Sequence, residues 1–142
     1  MGKIDLLQLF EKDEKTQLIV ELLNSRLQSK HILLKGLNGS LKTVTASNII
    51  NKTNFNHLFI LDSLEDALYF LDDLNNLNPR ISSYLLPSSN RIKFGDNNVI
   101  LERIEALNNI MSKKKTCIVS DVQAVKEQII GKKDFSKQQL TI

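Results

Sequence analysis

The sequence predicts an α/β fold in which helices cover a parallel β-sheet. Between residues 31 and 130, short apolar runs typical of buried strands alternate with segments whose apolar residues recur every three or four positions. The runs are apolar throughout instead of alternating with polar residues, which indicates strands covered on both faces. We therefore expect each strand to be followed by a helix, and each crossover to be right-handed.

The composition is that of an ordinary globular domain. A chain of 142 residues, 42% hydrophobic and 25% charged, is long enough for one domain with a core and too short for two. The net charge of +3 is mildly basic, but the lysines at 113–115 are better explained as a solvated loop than as a phosphate contact. Aromatic residues form only 6% of the chain, too few for a base-stacking surface.

Two features of the sequence indicate where in the cell the protein is located. No apolar run reaches the roughly 18 residues of a membrane span, and the N-terminus mixes acidic residues into its apolar stretch, unlike a signal peptide. We expect a cytoplasmic protein with no membrane partner. The single cysteine, Cys117, cannot form an internal disulfide, and its apolar run "TCIVS" favours an inert core thiol over a nucleophile.

The N-terminal segment is predicted to be helical. Its apolar residues recur at helical spacing through "IDLLQLFEKDEKTQLIVELLNSRLQSK", and the polar patch "EKDEK" is a candidate break between two helices. We assign residues 1–29 to this segment.

Four strand–helix units are predicted to follow. The strands are "HILLKG", "HLFIL", "RISSYLLP", which Pro87 should end, and "TCIVS". Asp62 or Ser63 is a candidate N-cap of the second helix, and Gly131 should stop the last one. The apolar stripes predicted to face the core are Leu64, Leu68, Leu71 and Leu74 in the second helix, and Ile100, Ile104 and Leu107 in the third.

The first unit contains a nearly complete phosphate-binding loop. The pattern G-x-x-x-x-G-K-[ST] is matched over residues 36–43 except at Leu41, where it requires glycine. In such a loop, backbone N–H groups and a helix N-terminus bind the phosphates, the lysine pairs with the outer phosphates and the threonine holds magnesium. The candidate nucleotide-binding residues are Gly36, Gly39, Ser40, Lys42 and Thr43.

Leu41 favours impaired or absent nucleotide binding, because a side chain at this position fills space or penalises the backbone conformation that the phosphates need. The alternative is that the glycines merely form a strand-to-helix turn. The residues for hydrolysis are also missing, since no strand ends in an acidic pair; Asp62 and Asp121 follow strands but are better explained as N-caps. His31 and His57 lack the spacing of a zinc site, and we assign no catalytic or metal-binding residue.

The order of these motifs resembles the N-terminal region of bacterial transcription-repair coupling factors, which is in turn similar to the damage-recognition protein UvrB. The resemblance covers residues 5–142. UvrB-like proteins carry G-x-x-G-S-G-K-T where this chain has "GLNGSLKT", and "CIVSDVQAV" is similar to the family's strand-to-helix segment V-x-S-x-x-x-A. Pro87 also matches a proline that the family places after its third strand.

This resemblance implies a RecA-like lobe of the phosphate-loop NTPase type. Members of the family are DNA translocases that use ATP to displace stalled RNA polymerase and recruit UvrA in nucleotide excision repair. UvrA would bind through the adjacent inserted domain, and RNA polymerase and double-stranded DNA through other parts of the parent protein. In this family the N-terminal lobe has typically lost its ATPase activity, and the ATP-driven motor lies downstream.

We accordingly divide the chain into the helical segment 1–29, a degenerate phosphate-loop lobe over 30–131, and the start of a UvrA-binding type of domain at 132–142, where "QQLTI" is an unfinished strand. The first hypothesis is a non-hydrolysing scaffold without a cofactor of its own. The second is a lobe that retains ATP and magnesium through Lys42 and Thr43. The third is a free-standing α/β interaction domain with no role in repair.

Overall fold

The chain forms a mixed α/β structure around a small parallel sheet. A computed structural model describes residues 6–25, 31–90, 98–112 and 114–129. The strands in these ranges are β1 (His57–Leu61), β2 (Ser83–Leu86) and β3 (Cys117–Asp121). The helices are α1 (Leu6–Glu11), α2 (Glu14–Asn24), α3 (Leu41–Lys52), α4 (Leu64–Leu77), α5 (Asn98–Met111) and α6 (Val122–Lys126).

The described sheet has the strand order β1-β3-β2, and both neighbouring pairs are parallel. In its register, Val119 lies between Phe59 of β1 and Leu85 of β2. All five residues of β3 are buried, as expected for a central strand covered on both faces. This confirms the predicted α/β class and three of the four predicted strands.

Helices cover the two faces of the sheet differently. Residues of α3 and α4, such as Ile50 and Leu74, form the main core with Val119 on one face. On the other face, Ala106 of α5 packs with Ile118 of the central strand. Side chains alternate between the faces of a strand, so consecutive residues of β3 supply both cores.

The predicted strand over residues 31–36 is wrong. These residues have no strand geometry and are exposed, with Leu33 at 79% exposure. The apolar composition of this segment favours a strand, but a strand forms only when a neighbouring strand pairs with its backbone N–H and C=O groups. No ladder joins this segment to the part of the chain that the structure describes.

The N-terminal helices follow the sequence prediction. The polar patch does separate two helices, because α1 ends at Glu11 and α2 begins at Glu14. Asp13 caps α2 by accepting a hydrogen bond from the backbone N–H of Thr16, at 2.9 Å.

The apolar stripes of α4 and α5 were predicted only in part. In α4, Leu74 is buried, but Leu68 is 44% exposed. The helix is rotated so that Ala67 lies at the sheet, where a small side chain allows close approach. In α5, Ile100 and Ile104 are exposed, and the buried residues are Val99 and Ala106.

Several helices and strands begin or end where individual residues predict it. Ser63, rather than Asp62, caps α4, and the Asp121 carboxylate caps α6 through the N–H groups of residues 123 and 124. Strand β2 ends just before Pro87, as predicted. Helix α6 ends at Lys126, four residues earlier than predicted, and the next residue, Glu127, has an extended backbone conformation. Gly131 and the segment 132–142 lie outside the described residues.

None of the helices in the described ranges combines the length and the apolar character needed to cross a bilayer.

Candidate functional site

The two glycines of the phosphate-loop-like segment adopt the backbone conformation that only glycine adopts readily. Gly36 has φ of +81° and Gly39 has φ of +54°. A Cβ atom on either residue would meet no atom within 4 Å, so conformation and not crowding explains the glycines. The segment therefore keeps the shape of a tight turn that leads into α3.

Three backbone N–H groups of the loop donate to carbonyls of the loop itself. Asn38 N–H donates to the carbonyl of Gly36 at 3.1 Å, Leu41 N–H to that of Asn38 at 3.2 Å, and Lys42 N–H to that of Gly39 at 3.4 Å. A phosphate loop instead points such N–H groups at the anion. In this conformation the amides of Leu41 and Lys42 close turns instead of facing a common anion.

The polar side chains of the pattern have different surroundings. Lys42 is exposed to solvent, whereas Thr43 is only 2% exposed. Ser40 occupies the N-cap position of α3 in helical geometry, and its side chain makes no capping hydrogen bond. The lysine could reach an anion in solvent, but the threonine hydroxyl belongs to the packed side of the helix.

Leu41 lines a groove next to the loop whose walls include both apolar and polar residues. The groove has a volume of about 520 Å³ and lies between α2, residues 32–37 and the first turn of α3. Ile19 and Leu22 of α2 and Leu34 of the extended segment also line it. The side chain that breaks the phosphate pattern thus contributes to an apolar surface.

The strand that should feed a phosphate loop is absent, since the segment preceding Gly36 is exposed and unpaired within the described ranges. The sequence correctly predicted the turn and the helix. The expected strand–turn–helix context is therefore only partly present.

The two histidines lie apart from the loop. His31 is exposed, and His57 begins β1, where its Nε2 lies 2.9 Å from the Thr53 hydroxyl. Burial lowers the pKa of His57, and the positive charge of Lys115 lowers it further. Within the described residues, no group of three or more His, Cys, Asp or Glu side chains is placed to hold a metal ion.

Cys117 is a buried core residue, as predicted. It is 1% exposed and packs in the main core beneath α4. Burial raises the pKa of its thiol to about 11, so the thiol is protonated and a poor nucleophile at neutral pH.

The lysine cluster is partly structural. The Lys115 ammonium donates to the carbonyls of Ile50 and Thr53, the latter at 2.5 Å, and so caps the C-terminus of α3. Lys114 is exposed, as a solvated loop predicts, and residue 113 lies outside the described residues.

Sequence reasoning missed a polar cluster behind the carboxyl ends of β2 and β3. The Arg103 guanidinium lies 2.9 Å from the Glu127 carboxylate and donates to the Pro87 carbonyl at 2.5 Å. Both carboxylate oxygens of Glu127 also accept from the N–H of Ser89, at 2.8 and 3.0 Å. The partners are 16 to 38 residues apart, so no local pattern could have indicated them. The cluster joins α5, the end of β2 and the end of α6.

The chain was compared with known protein families, curated proteins and solved structures, and none of them matches it.

Proposed function

We propose that this chain is a non-hydrolysing interaction scaffold: the RecA-like first lobe of a transcription-repair coupling factor, carrying a degenerate phosphate loop. The observation that carries the proposal is the loop itself. It retains the glycine turn and Lys42, but Leu41 replaces the required glycine, and the amides of Leu41 and Lys42 bond to carbonyls of the loop. Such a loop supports the packing of α3 without offering a preorganised anion site.

Two further observations support the same proposal: Thr43 is buried, and the segment before the loop is not a strand of the described sheet. Magnesium in a phosphate loop needs the threonine hydroxyl at the phosphates. Here the residue is 2% exposed, and the segment before the loop joins no strand of the described sheet. The parallel sheet with helices on both faces is compatible with a RecA-like lobe, which is the finer assignment that we propose.

The proposed role in DNA repair rests on the order of the sequence motifs, which resembles that of the transcription-repair coupling factors. In this proposal the parent protein is a cytoplasmic, ATP-dependent DNA translocase that displaces stalled RNA polymerase. UvrA binds to the adjacent domain, and this lobe supports that domain.

Retained nucleotide binding is the second candidate, and two observations favour it. Lys42 is exposed at the start of α3, and the glycines at 36 and 39 already have positive φ. A modest rearrangement of the loop would free the amides of residues 41 and 42 for a phosphate. The two candidates differ in what Leu41 does.

A titration with fluorescently labelled ATP and magnesium separates them. The scaffold proposal expects no saturable binding by the wild-type chain up to roughly 1 mM, an affinity limit of about −4 kcal/mol. Leu41→Gly should create weak binding, and adding Lys42→Ala should abolish it. The matched control is Leu37→Gly, which places a glycine in the same loop outside the required position.

Micromolar binding by the wild-type chain that Lys42→Ala removes would establish the second candidate. For the repair role, a longer chain that continues into the next domain should retain UvrA in a pull-down, and residues 1–142 alone should not. Equal retention by both chains would contradict the proposed position of the UvrA interface.

A further inference from the structure

The groove beside the loop is a surface feature that the scaffold proposal does not explain. Its floor includes Ile19, Leu34 and Leu41. Two of its apolar lining residues are strongly exposed to solvent, Leu18 at 55% and Leu33 at 79%. A groove of 520 Å³ with exposed apolar lining residues is typical of a protein interaction site.

The charges of the groove favour an acidic occupant. Lys15 and Lys35 both line it, and both residues are exposed. The acidic residue of the lining, Asp13, is engaged with Thr16, whose N–H and hydroxyl donate to its Oδ2 at 2.9 and 3.1 Å. The groove thus carries two lysines against one carboxylate that already serves as a helix cap.

The outer side of α4 has the complementary chemistry. Leu68 is 44% exposed and Tyr69 is 66% exposed, although both lie in the middle of a helix whose other side is in the core. Asp72 and Asp73 follow them at a spacing of four residues and are also exposed. Residues four apart share one side of a helix, so two apolar side chains here lie next to two carboxylates.

We propose that the groove of one copy of this chain binds the outer side of α4 of a second copy. The apolar pair Leu68 and Tyr69 would enter the groove, and the carboxylates of Asp72 and Asp73 would lie near the lysines. A second copy is the occupant that these surfaces favour, because the chain itself supplies both complementary surfaces. This association does not depend on the proposed function.

The two surfaces can be occupied at the same time. The groove is lined by residues of α1, α2 and α3 and of the extended segment, and no residue of α4 is among them. A contact between different surfaces is heterologous, so each added copy presents a further groove or a further α4. We expect head-to-tail association that grows with concentration and weakens with salt.

Sedimentation velocity with paired charge reversals tests this arrangement. The groove variant is Lys15→Glu with Lys35→Glu, and the helix variant is Asp72→Lys with Asp73→Lys. Each variant alone brings like charges together and should weaken association by roughly tenfold or more, whereas an equimolar mixture restores opposite charges and should associate again. Lys114→Glu, a reversal at an exposed lysine away from both surfaces, is the matched control and should leave association unchanged.

Circular dichroism of each variant verifies that it is folded, as expected for substitutions of exposed residues. A wild-type chain that remains monomeric from about 10 to 300 μM would overturn the proposal, since that range brackets the affinities of weak contacts. The proposal also fails if the mixture of the two variants does not associate, or if the control weakens association as much as they do.

Discussion

At the scale of single residues, Leu41 combines two effects in one side chain. Its amide closes a turn with the Asn38 carbonyl, and its isobutyl group lines the groove. Glycine at this position would remove the apolar contact and free the backbone to change conformation. Leucine in place of glycine therefore disfavours phosphate binding and at the same time adds an apolar side chain to the groove.

His57 is a residue whose protonation should change stability. Thr53 Oγ1 donates its proton to the Ile49 carbonyl at 2.7 Å, so its oxygen accepts from His57 Nε2, which fixes the neutral tautomer with the proton on Nε2. Protonation would place a second positive charge near Lys115. Burial and that charge lower the pKa of His57 from its ordinary 6.5.

Because the pKa of His57 is lowered in the folded state, the direction in which pH changes the stability is defined. The stabilisation from neutral His57 is present above pH 6.5 and is lost as the pH falls through the lower pKa of the folded chain. The free energy of unfolding, measured with urea, should thus decline from pH 7.5 to pH values below 6. His57→Gln should remove this part of the decline, because the amide still donates to Thr53 but does not titrate.

His31→Gln is the matched control for this prediction. His31 is exposed and takes no part in the contact between His57 and Thr53, so His31→Gln should leave the contribution of that contact in place. A decline that survives His57→Gln unchanged would contradict the assignment to His57.

At the scale of elements, the end of α3 depends on a residue that is remote in sequence. The carbonyls of its last turn accept from the Lys115 ammonium, which approaches from the segment before β3. A cation at a helix C-terminus is stabilising because the unpaired carbonyls there carry partial negative charge. This contact ties α3 to the start of the central strand.

Lys115→Met should reduce the free energy of unfolding by about 1 kcal/mol, since it removes a charged cap but keeps most of the aliphatic chain. Chemical denaturation measures the loss. Lys114→Met is the matched control at an exposed neighbour and should change stability by less than about 0.5 kcal/mol. If the two substitutions lower the free energy of unfolding equally, the hydrogen bonds of Lys115 to α3 contribute nothing beyond the loss of one positive charge.

At the scale of the whole molecule, the described sheet is covered unevenly. Helices α3 and α4 cover one face, but on the opposite face Leu58 and Ile60 of β1 remain 55% and 49% exposed. β1 is also an end strand of the described sheet. Exposed apolar residues on an end strand favour intermolecular association.

Ile60→Thr should therefore raise the solubility limit of the chain and change the free energy of unfolding by less than about 0.5 kcal/mol. Phe59→Thr, one residue away on the covered face, should cost roughly 2 to 3 kcal/mol, because Phe59 packs against Phe70 with ring centroids 5.1 Å apart. Precipitation assays and urea denaturation compare the variants. If both substitutions cost the same stability, the assignment of the two faces is wrong.

Features that depend on neighbouring residues could be predicted from the sequence alone. Apolar runs of five residues predicted the positions of β1 and β3, and Asp121 was correctly predicted to cap the helix that follows β3. The glycines at 36 and 39 were correctly read as turn residues because positive φ is a local requirement.

Features that depend on residues distant in sequence could not be predicted in this way. Residues 31–36 have the composition of a strand but no ladder within the described chain, and the rotations of α4 and α5 follow the surfaces that they cover. The bonds of Arg103 with Glu127, and of Lys115 with α3, join residues that are far apart in sequence. The physical reason is that local sequence sets backbone preference, whereas burial and long-range hydrogen bonds are set by what the folded chain brings together.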